Sequence, residues 1–373
     1  MLKGLIPGKQ KPTSLPNNHW QFGIIEDGVK KIDPLLHYGC FTLGFDRNDI
    51  IQHVCNSITG VKPEIAESPL HTEDLKLNHC SYKLSNKLFE MSNGYRSFFA
   101  LSGSDANEGA MKLSSAYHSI KKNKNKNKIV SFFNSYHGST FLNSNTSDLL
   151  LNNPLYNMNR YDGVIKLKRD FDINSVDWSQ VMSIIVETCS WGSNLTPNSD
   201  IFWEKLKYVQ QKFDVVLIVD DIFIGGGKTG NYFGWKHLPI QPDIFTMGKS
   251  ITGGYFPLSI TMYNEKIHNI LPTNFEWDHG YTYSFSLPGI NSALKYIEIL
   301  EKEQILNNHQ SIQDIAIKTI QSKGFEIINR FGNLYMISKG KYKNLYMMPL
   351  NATDEYFTIL KQELDYYDNK SNR

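Results

Sequence analysis

The chain has 373 residues, of which 40% are hydrophobic and 13% aromatic, and its 39 basic and 37 acidic residues leave a net charge of +2. That apolar content supports a sizeable core and excludes a disordered chain, while the near-neutral balance gives nucleic acid or an anionic membrane no footing. At this length, one large domain with a smaller one is the expected arrangement.

The opening MLKGLIPGKQKPTSLPNNHW lacks the apolar run of a secretory signal, and no stretch of about 18 apolar residues could cross a bilayer, so a cytoplasmic protein is expected. Cys40, Cys55, Cys80 and Cys189 are widely spaced, with no C-x-x-C and no histidine at zinc-ligand spacing. Reduced thiols and no metal are the expectation.

In chain order, SFFAL (Ser97 to Leu101) reads as a buried strand, followed by a tight Ser-Gly-Ser turn and a helix with Ala106, Ala110, Leu113, Tyr117 and Ile120 on one stripe. KKNKNKNK (Lys121 to Lys128) has no interleaved aromatics and reads as a solvated loop. Further strands are predicted at Ile129 to Phe133, Ser183 to Val186, Val215 to Val219 and Ile244 to Met247. A helix carrying Phe202, Leu206, Val209 and Phe213 precedes the Val215 strand. Strands alternating with helices make an α/β domain on a mainly parallel sheet. From about Ile290 the pattern becomes two helices, three short strands and a last helix. The expected division is therefore an N-terminal arm over 1–45 that joins the smaller part, a large α/β domain over 46–285, and a small α+β domain over 286–373.

Five local features carry chemistry when taken in order. Ser102-Gly103-Ser104 opens a helix, where free N–H groups and the dipole can hold a phosphate, although Ser104 could equally cap the helix. Tyr136-His137-Gly138 follows a strand, and its aromatic can lie on a planar heterocycle or simply pack. Asp220-Asp221 ends a strand of a parallel sheet, the edge where α/β proteins bind ligands. A carboxylate there can pair with a pyridine nitrogen or cap a turn. Lys249 stands 29 residues after Asp220, between the strand ending at Met247 and the pair Gly253-Gly254. Burial would favour its neutral, nucleophilic amine. Gly280-Tyr281-Thr282-Tyr283 is a hydroxyl among aromatics, or a plain loop. Gly225, Gly227 and Gly230 satisfy G-x-G-x-x-G but lie several residues beyond the strand with no amphipathic helix after them, which leaves a nicotinamide-dependent oxidoreductase a remote alternative. Walker A fails as well, since Ile222 stands where its first glycine belongs.

From about Gly28 to Pro349 the chain resembles class III aminotransferases, pyridoxal-phosphate enzymes of fold type I. FFALSGSDANEGAMKLSSAYH is similar to the S-G-S-x-A-x-E phosphate segment, SYHGST to the Y-H-G segment, and HGYTY to the later phosphate threonine motif. VVLIVDDIFIGGGKTGNYFGWKHLPIQPDIFTMGKSITGGYFPLS resembles the stretch from cofactor aspartate to lysine. The resemblance implies a seven-stranded sheet and pyridoxal 5′-phosphate. It implies that Gly103 and Ser104 hold the phosphate, Tyr136 stacks on the ring, Asp220 meets the pyridine nitrogen and Lys249 forms the Schiff base. It further implies that Tyr281 and Thr282 complete the phosphate site from a partner subunit, hence a homodimer, and that Glu187 has a supporting role. Departures from the pattern are Asp221 for the usual Glu and Lys228 for the usual Arg, with a shortened stretch between Glu303 and Arg330. MGKSITGG and HGYTY resemble most the members that make diaminopelargonic acid in biotin synthesis. That comparison places Tyr38, Gly280 and Lys339 at the substrate, with Lys339 where an Arg would hold a carboxylate. The implied reaction is transamination between an amine or amino-acid donor and a keto acceptor. An ω-aminotransferase of other specificity, an aminomutase or a racemase is the alternative.

Overall fold

A computed structural model describes residues 19–59, 79–148, 161–190 and 192–371, so the first 18 residues of the expected N-terminal arm lie outside the described residues. The described part starts with an antiparallel meander, β1 (His19–Trp20), β2 (Gly23–Glu26) and β3 (Val29–Ile32). A helical turn α1 (Leu36–Gly39) and the helices α2 (Asn48–Thr59) and α3 (His79–Ser92) lead into the main sheet.

That sheet contains β4 (Arg96–Ala100), β5 (Lys128–Phe132), β6 (Val164–Leu167), β7 (Val181–Glu187), β8 (Val216–Asp220), β9 (Ile244–Met247) and β10 (Ser259–Tyr263), in the spatial order β4-β10-β9-β8-β7-β5-β6. Only β10 runs against its neighbours, so the sheet is mainly parallel and seven-stranded, as the sequence led one to expect. Its crossovers carry α4 (Gly103–Ile120), α5 (Phe141–Thr146) and α6 (Asp200–Phe213), with α7 (Glu265–His268) after β10.

Side-chain alternation along β8 shows how the layers form. Val216 and Ile218 pack with Ala110, Leu113 and Tyr117 of α4, while Leu217 and Val219 join a second core with Phe245 and Met247. Successive residues of a strand face opposite sides, so a strand buried on both faces reads as an unbroken apolar run. β10 went unnoticed in the sequence because its inward residues Ser259 and Thr261 are polar. Their hydroxyls donate to the carbonyls of Ser102 (2.6 Å) and Ala106 (2.8 Å), which makes burial affordable. β6 is a four-residue edge strand holding one lysine, too short for a period to show.

After β10 come α8 (Leu287–Lys302), α9 (His309–Ser322), the antiparallel strands β11 (Glu326–Phe331), β12 (Leu334–Lys339) and β13 (Tyr342–Met347), and α10 (Asp354–Ser371). Trp20, Phe22, Ile32 and Leu36 share a core with Leu334, Ile337, Tyr346, Tyr356 and Leu360. The apolar face of α8, by contrast, packs into the large core through Ile290, Tyr296 and Leu300, although the expected boundary at 286 assigns it to the smaller part. The KKNKNKNK loop is solvated as expected, with no buried residue, and is tied down at two points: Lys121 pairs with Asp214 (2.6 Å), and Lys126 donates to the carbonyls of Trp178 and Val181. Among the described residues no helix is long and apolar enough to cross a membrane.

Candidate active site

The parallel strands all end on one edge, and that edge collects the chemistry-bearing residues. Asp220 is the last residue of β8, paired in register with Glu187 at the end of β7 and with Thr246 of β9. Its Oδ2 accepts from Asn107 Nδ2 (2.8 Å) and lies 2.8 Å from His137 Nδ1, and its Oδ1 accepts from the Ile222 N–H (3.1 Å). Three groups thus fix a buried carboxylate while leaving Oδ1 lone-pair capacity for another donor. Asp221 turns the other way. It accepts from Thr188 Oγ1 (2.6 Å) and the Gly234 N–H (2.8 Å), and burial pushes its carboxyl up to about 7. Of the two adjacent acids, strand alternation aims only Asp220 into the site. Glu187 is also buried, pushed up to about 7 chiefly by desolvation, and its Oε2 has no hydrogen-bond partner among the described residues.

Lys249 follows β9 by two residues and sits in the left-handed region at φ 52, a strained conformation for a residue with a Cβ. Its ammonium lies 4.6 Å from the centroid of Phe223, and no carboxylate among the described residues forms a salt bridge with it. Burial pulls its pKa below the usual lysine value, opposed by the charges of Cys40, Asp220 and Glu187. The glycine-rich run after β8 has no α-helix behind it, only a 3-10 turn at Gly234–His237, so the dinucleotide reading of Gly225, Gly227 and Gly230 has no structural support.

The helix opening differs in one detail from the sequence reading. The cap of α4 is Ser102, which exchanges hydrogen bonds with Asp105 in a capping box, and Ser104 is free of that duty. Gly103 and Ser104 therefore keep N–H groups without a partner among the described residues, as an anion site requires. Ser104 Oγ accepts from the Ser139 N–H (3.1 Å) and packs on Gly138, whose φ of 115 excludes most side chains. A Cβ at Gly138 would fall 2.2 Å from Ser104 Oγ. The half-exposed Tyr136 has its hydroxyl raised by burial and by the charge of Asp220.

The remaining candidates separate. Tyr281 reaches the first turn of α4 with its hydroxyl near the Asp105 carbonyl (3.4 Å), while Gly280 and Thr282 are exposed. Tyr38 is 58% exposed, on a turn where Leu36, His37 and Tyr38 all have positive φ and which packs against the turn bearing Lys249. Lys339 is not brought to this cluster: it is held by Asp368 (2.7 Å) and the Lys323 carbonyl (2.8 Å), between the end of β12 and α10. Sequence reasoning missed Asn107, which also accepts from Thr246 Oγ1 (2.7 Å), and gave His137 no role of its own. The available signal was Asn107 beside Ala106 and Ala110 on the buried face of α4, a polar residue where apolar ones belong. Arg169 was missed too; it lies between Phe132 and Phe202, with Nη1 on Asn198 (2.6 Å).

A half-buried lysine with no salt bridge among the described residues, a fixed buried carboxylate, a tyrosine near that carboxylate and a helix start with free N–H groups make a set that fits pyridoxal 5′-phosphate. A family model described as aminotransferase class-III matches residues 23–337. The acetylornithine/succinyldiaminopimelate aminotransferase of Buchnera aphidicola subsp. Acyrthosiphon pisum is 30% identical over 277 residues, covering 73% of this chain and 64% of that protein. An uncharacterised aminotransferase of Sinorhizobium fredii is 28% identical over 314 residues, covering 76% of this chain and 66% of its own length. The chain thus spans slightly less than two thirds of these relatives. Among solved structures, a Bacillus anthracis aminotransferase superposes with a TM-score of 0.80 at 20% identity over 97% of this chain and 95% of that one. The adenosylmethionine-8-amino-7-oxononanoate aminotransferase of Methanocaldococcus jannaschii gives 0.79 at 21% over 95% and 93%. At such identities the structures establish the fold, fold type I, and the family match over most of the sequence establishes the rest: this chain belongs to the class-III aminotransferases.

Proposed function

We propose that the protein is a pyridoxal-phosphate-dependent aminotransferase that moves an amino group from an amine or amino-acid donor to a keto acceptor, with Lys249 as its cofactor lysine. The observation that carries this reading is the meeting of two groups on one sheet edge: the half-buried Lys249, which forms no salt bridge among the described residues, and the buried Asp220 fixed by Asn107 and His137. The cofactor supplies an aldehyde and an electron-withdrawing ring. Asp220 would pair with the ring nitrogen, Gly103 and Ser104 would bind the phosphate, and Tyr136 would cover the ring. Lys249, its amine favoured in the neutral form by burial, would accept a proton from the donor's Cα and return it to the carbon that was the cofactor's aldehyde, across the shared nitrogen. Thr282, exposed in the single chain, would complete the phosphate site of a second copy in a homodimer.

Two substrate readings have support. The segments MGKSITGG and HGYTY favour 7-keto-8-aminopelargonate as acceptor, whereas the name of the 30%-identical Buchnera relative favours an acetylornithine-type donor. A screen of S-adenosylmethionine, lysine, glutamate and acetylornithine as donors, with 7-keto-8-aminopelargonate and 2-oxoglutarate as acceptors, separates them. Activity with glutamate or acetylornithine and 2-oxoglutarate alone would remove the biotin-pathway reading. Accumulation of pyridoxamine phosphate with a free keto product distinguishes transamination from aminomutase or racemase chemistry. For the lysine, borohydride should trap cofactor on the native protein and not on Lys249→Ala, which should also lose turnover. Full activity in that variant would refute the assignment.

A further inference from the structure

Behind Lys249 lies a second lysine that the family pattern does not contain. Lys228 stands where the class III pattern has an arginine, and it is fully buried. Its ammonium donates to the Gly225 carbonyl (2.7 Å) and to Ser250 Oγ (2.6 Å), and Ser250 Oγ donates in turn to the same carbonyl (2.9 Å). These three bonds clamp the residue next to Lys249 onto the loop after β8. Room for the side chain comes from Gly39, where a Cβ would lie 3.2 Å from Lys228 Cε.

The charges around this clamp are few. Lys228 faces Lys249, Cys40 and Asp221, and Lys249 faces Cys40, Asp220 and Glu187. Asp221 already serves Thr188 and Gly234, and no carboxylate among the described residues forms a salt bridge with Lys228. A buried ammonium bonded only to neutral oxygens projects a positive potential, which Asp221 and Cys40 oppose without bonding to it.

We propose that Lys228 is a positioning residue for Lys249, acting through Ser250: it pins the strained turn that carries Lys249 and sets a positive charge behind it that disfavours protonation there. The proposal rests on Lys249 being the cofactor lysine. Lysine differs from arginine at this place in a way that matters. Burial first, and then the charge of Lys249, brings Lys228 down to about 7, so its charge responds to pH near neutrality, whereas a guanidinium would remain charged.

The test is a pH titration of the cofactor's visible absorbance in the loaded protein, for the wild type and for Lys228→Met, Lys228→Arg and Ser250→Ala. In Lys228→Met the spectral transition should move up by about one pH unit, because the repelling charge is gone. In Lys228→Arg, where the charge is permanent, it should lie below the wild-type value. Ser250→Ala keeps the charge but loosens the clamp, so its transition should stay in place while turnover falls about tenfold. A Lys228→Met protein with native circular dichroism and an unmoved transition would overturn the proposal. If that variant does not fold, an unmoved or raised transition in Lys228→Arg overturns it instead. Borohydride reduction and peptide mapping of the wild type separate this from the underlying reading: label absent from Lys249 would sink the cofactor assignment itself.

Discussion

Replacing Asn107 by aspartate changes one NH2 group into an oxygen and should convert a structural bond into a pH-dependent liability. Asn107 is fully buried, and its Nδ2 donates to Asp220 Oδ2 at 2.8 Å and to the His137 carbonyl at 2.9 Å. In Asn107→Asp an ionised side chain would face the Asp220 carboxylate at that 2.8 Å spacing, a repulsion of about 6 kcal/mol at an effective dielectric constant of about 20. Holding a proton on the pair is cheaper. From an unfolded carboxyl pKa of about 3.9, it costs about 1.4 kcal/mol per pH unit, hence about 1.5 kcal/mol at pH ~5 and about 4 kcal/mol at pH ~7. The His137 carbonyl loses its donor in either case, which adds about 1–3 kcal/mol independent of pH. The sign follows from the folded-state pKa being raised: the penalty is absent below the unfolded pKa and grows as pH rises. Urea unfolding of wild type and variant should therefore show a stability gap that widens by about 2.7 kcal/mol between pH ~5 and pH ~7. Asn107→Ala should show a gap that does not vary with pH. A constant gap in Asn107→Asp would refute the claimed contact between Asn107 and Asp220.

Gly138→Ala forces a Cβ into a φ of 115 and to 2.2 Å from Ser104 Oγ, so the phosphate corner must shift. Cofactor affinity, measured by fluorescence titration of the apoprotein, should drop at least about tenfold, and an unchanged affinity would argue against phosphate binding at Ser104. His118 is buried with Nε2 at 2.9 Å from the Met182 carbonyl, and desolvation holds it down to about 4. Because that value lies below the unfolded one, its contribution is full above pH ~6.5 and is lost as pH falls toward ~4, a change of up to about 3 kcal/mol. His118→Gln keeps an N–H donor and should lose less stability over that window; equal losses in the two proteins would exclude His118 as a source of acid lability.

The order of the proposed cofactor residues was legible because each sits at or just after the end of an apolar strand, and strand ends are visible in a sequence. Lys249 follows IFTM, Asp220 closes VLIV and the Ser102 turn follows RSFFA. What holds those residues was not legible. Asn107 lies 113 residues from Asp220, and His137 lies 83. Their meeting depends on α4 crossing back beneath β8, which only the strand order determines. The choice between Asp220 and Asp221 is also a matter of side-chain direction at a strand end, and one residue of register would exchange them.

The substrate side resisted reading for a related physical reason. The proposed cofactor groups stand at the end of the central sheet, where the row of Glu187, Asp220 and Thr246 is set by parallel register and cannot drift without breaking the ladder. Even the phosphate corner is tied to it, since the one reversed strand, β10, anchors the start of α4 through Ser259 and Thr261. Tyr38 and Lys339 belong instead to segments outside that sheet, a strained turn at Leu36–Tyr38 and the end of β12. Their neighbours Leu36 and Ile337 pack in the smaller core, while Tyr38 and Lys339 themselves lie outside it. Lys339 shows the consequence: a position that matches a substrate-binding arginine in sequence has become a surface ion pair with Asp368. The sheet edge thus holds the proposed cofactor groups in register, whereas specificity depends on surrounding elements whose side chains can take other partners, as Lys339 does.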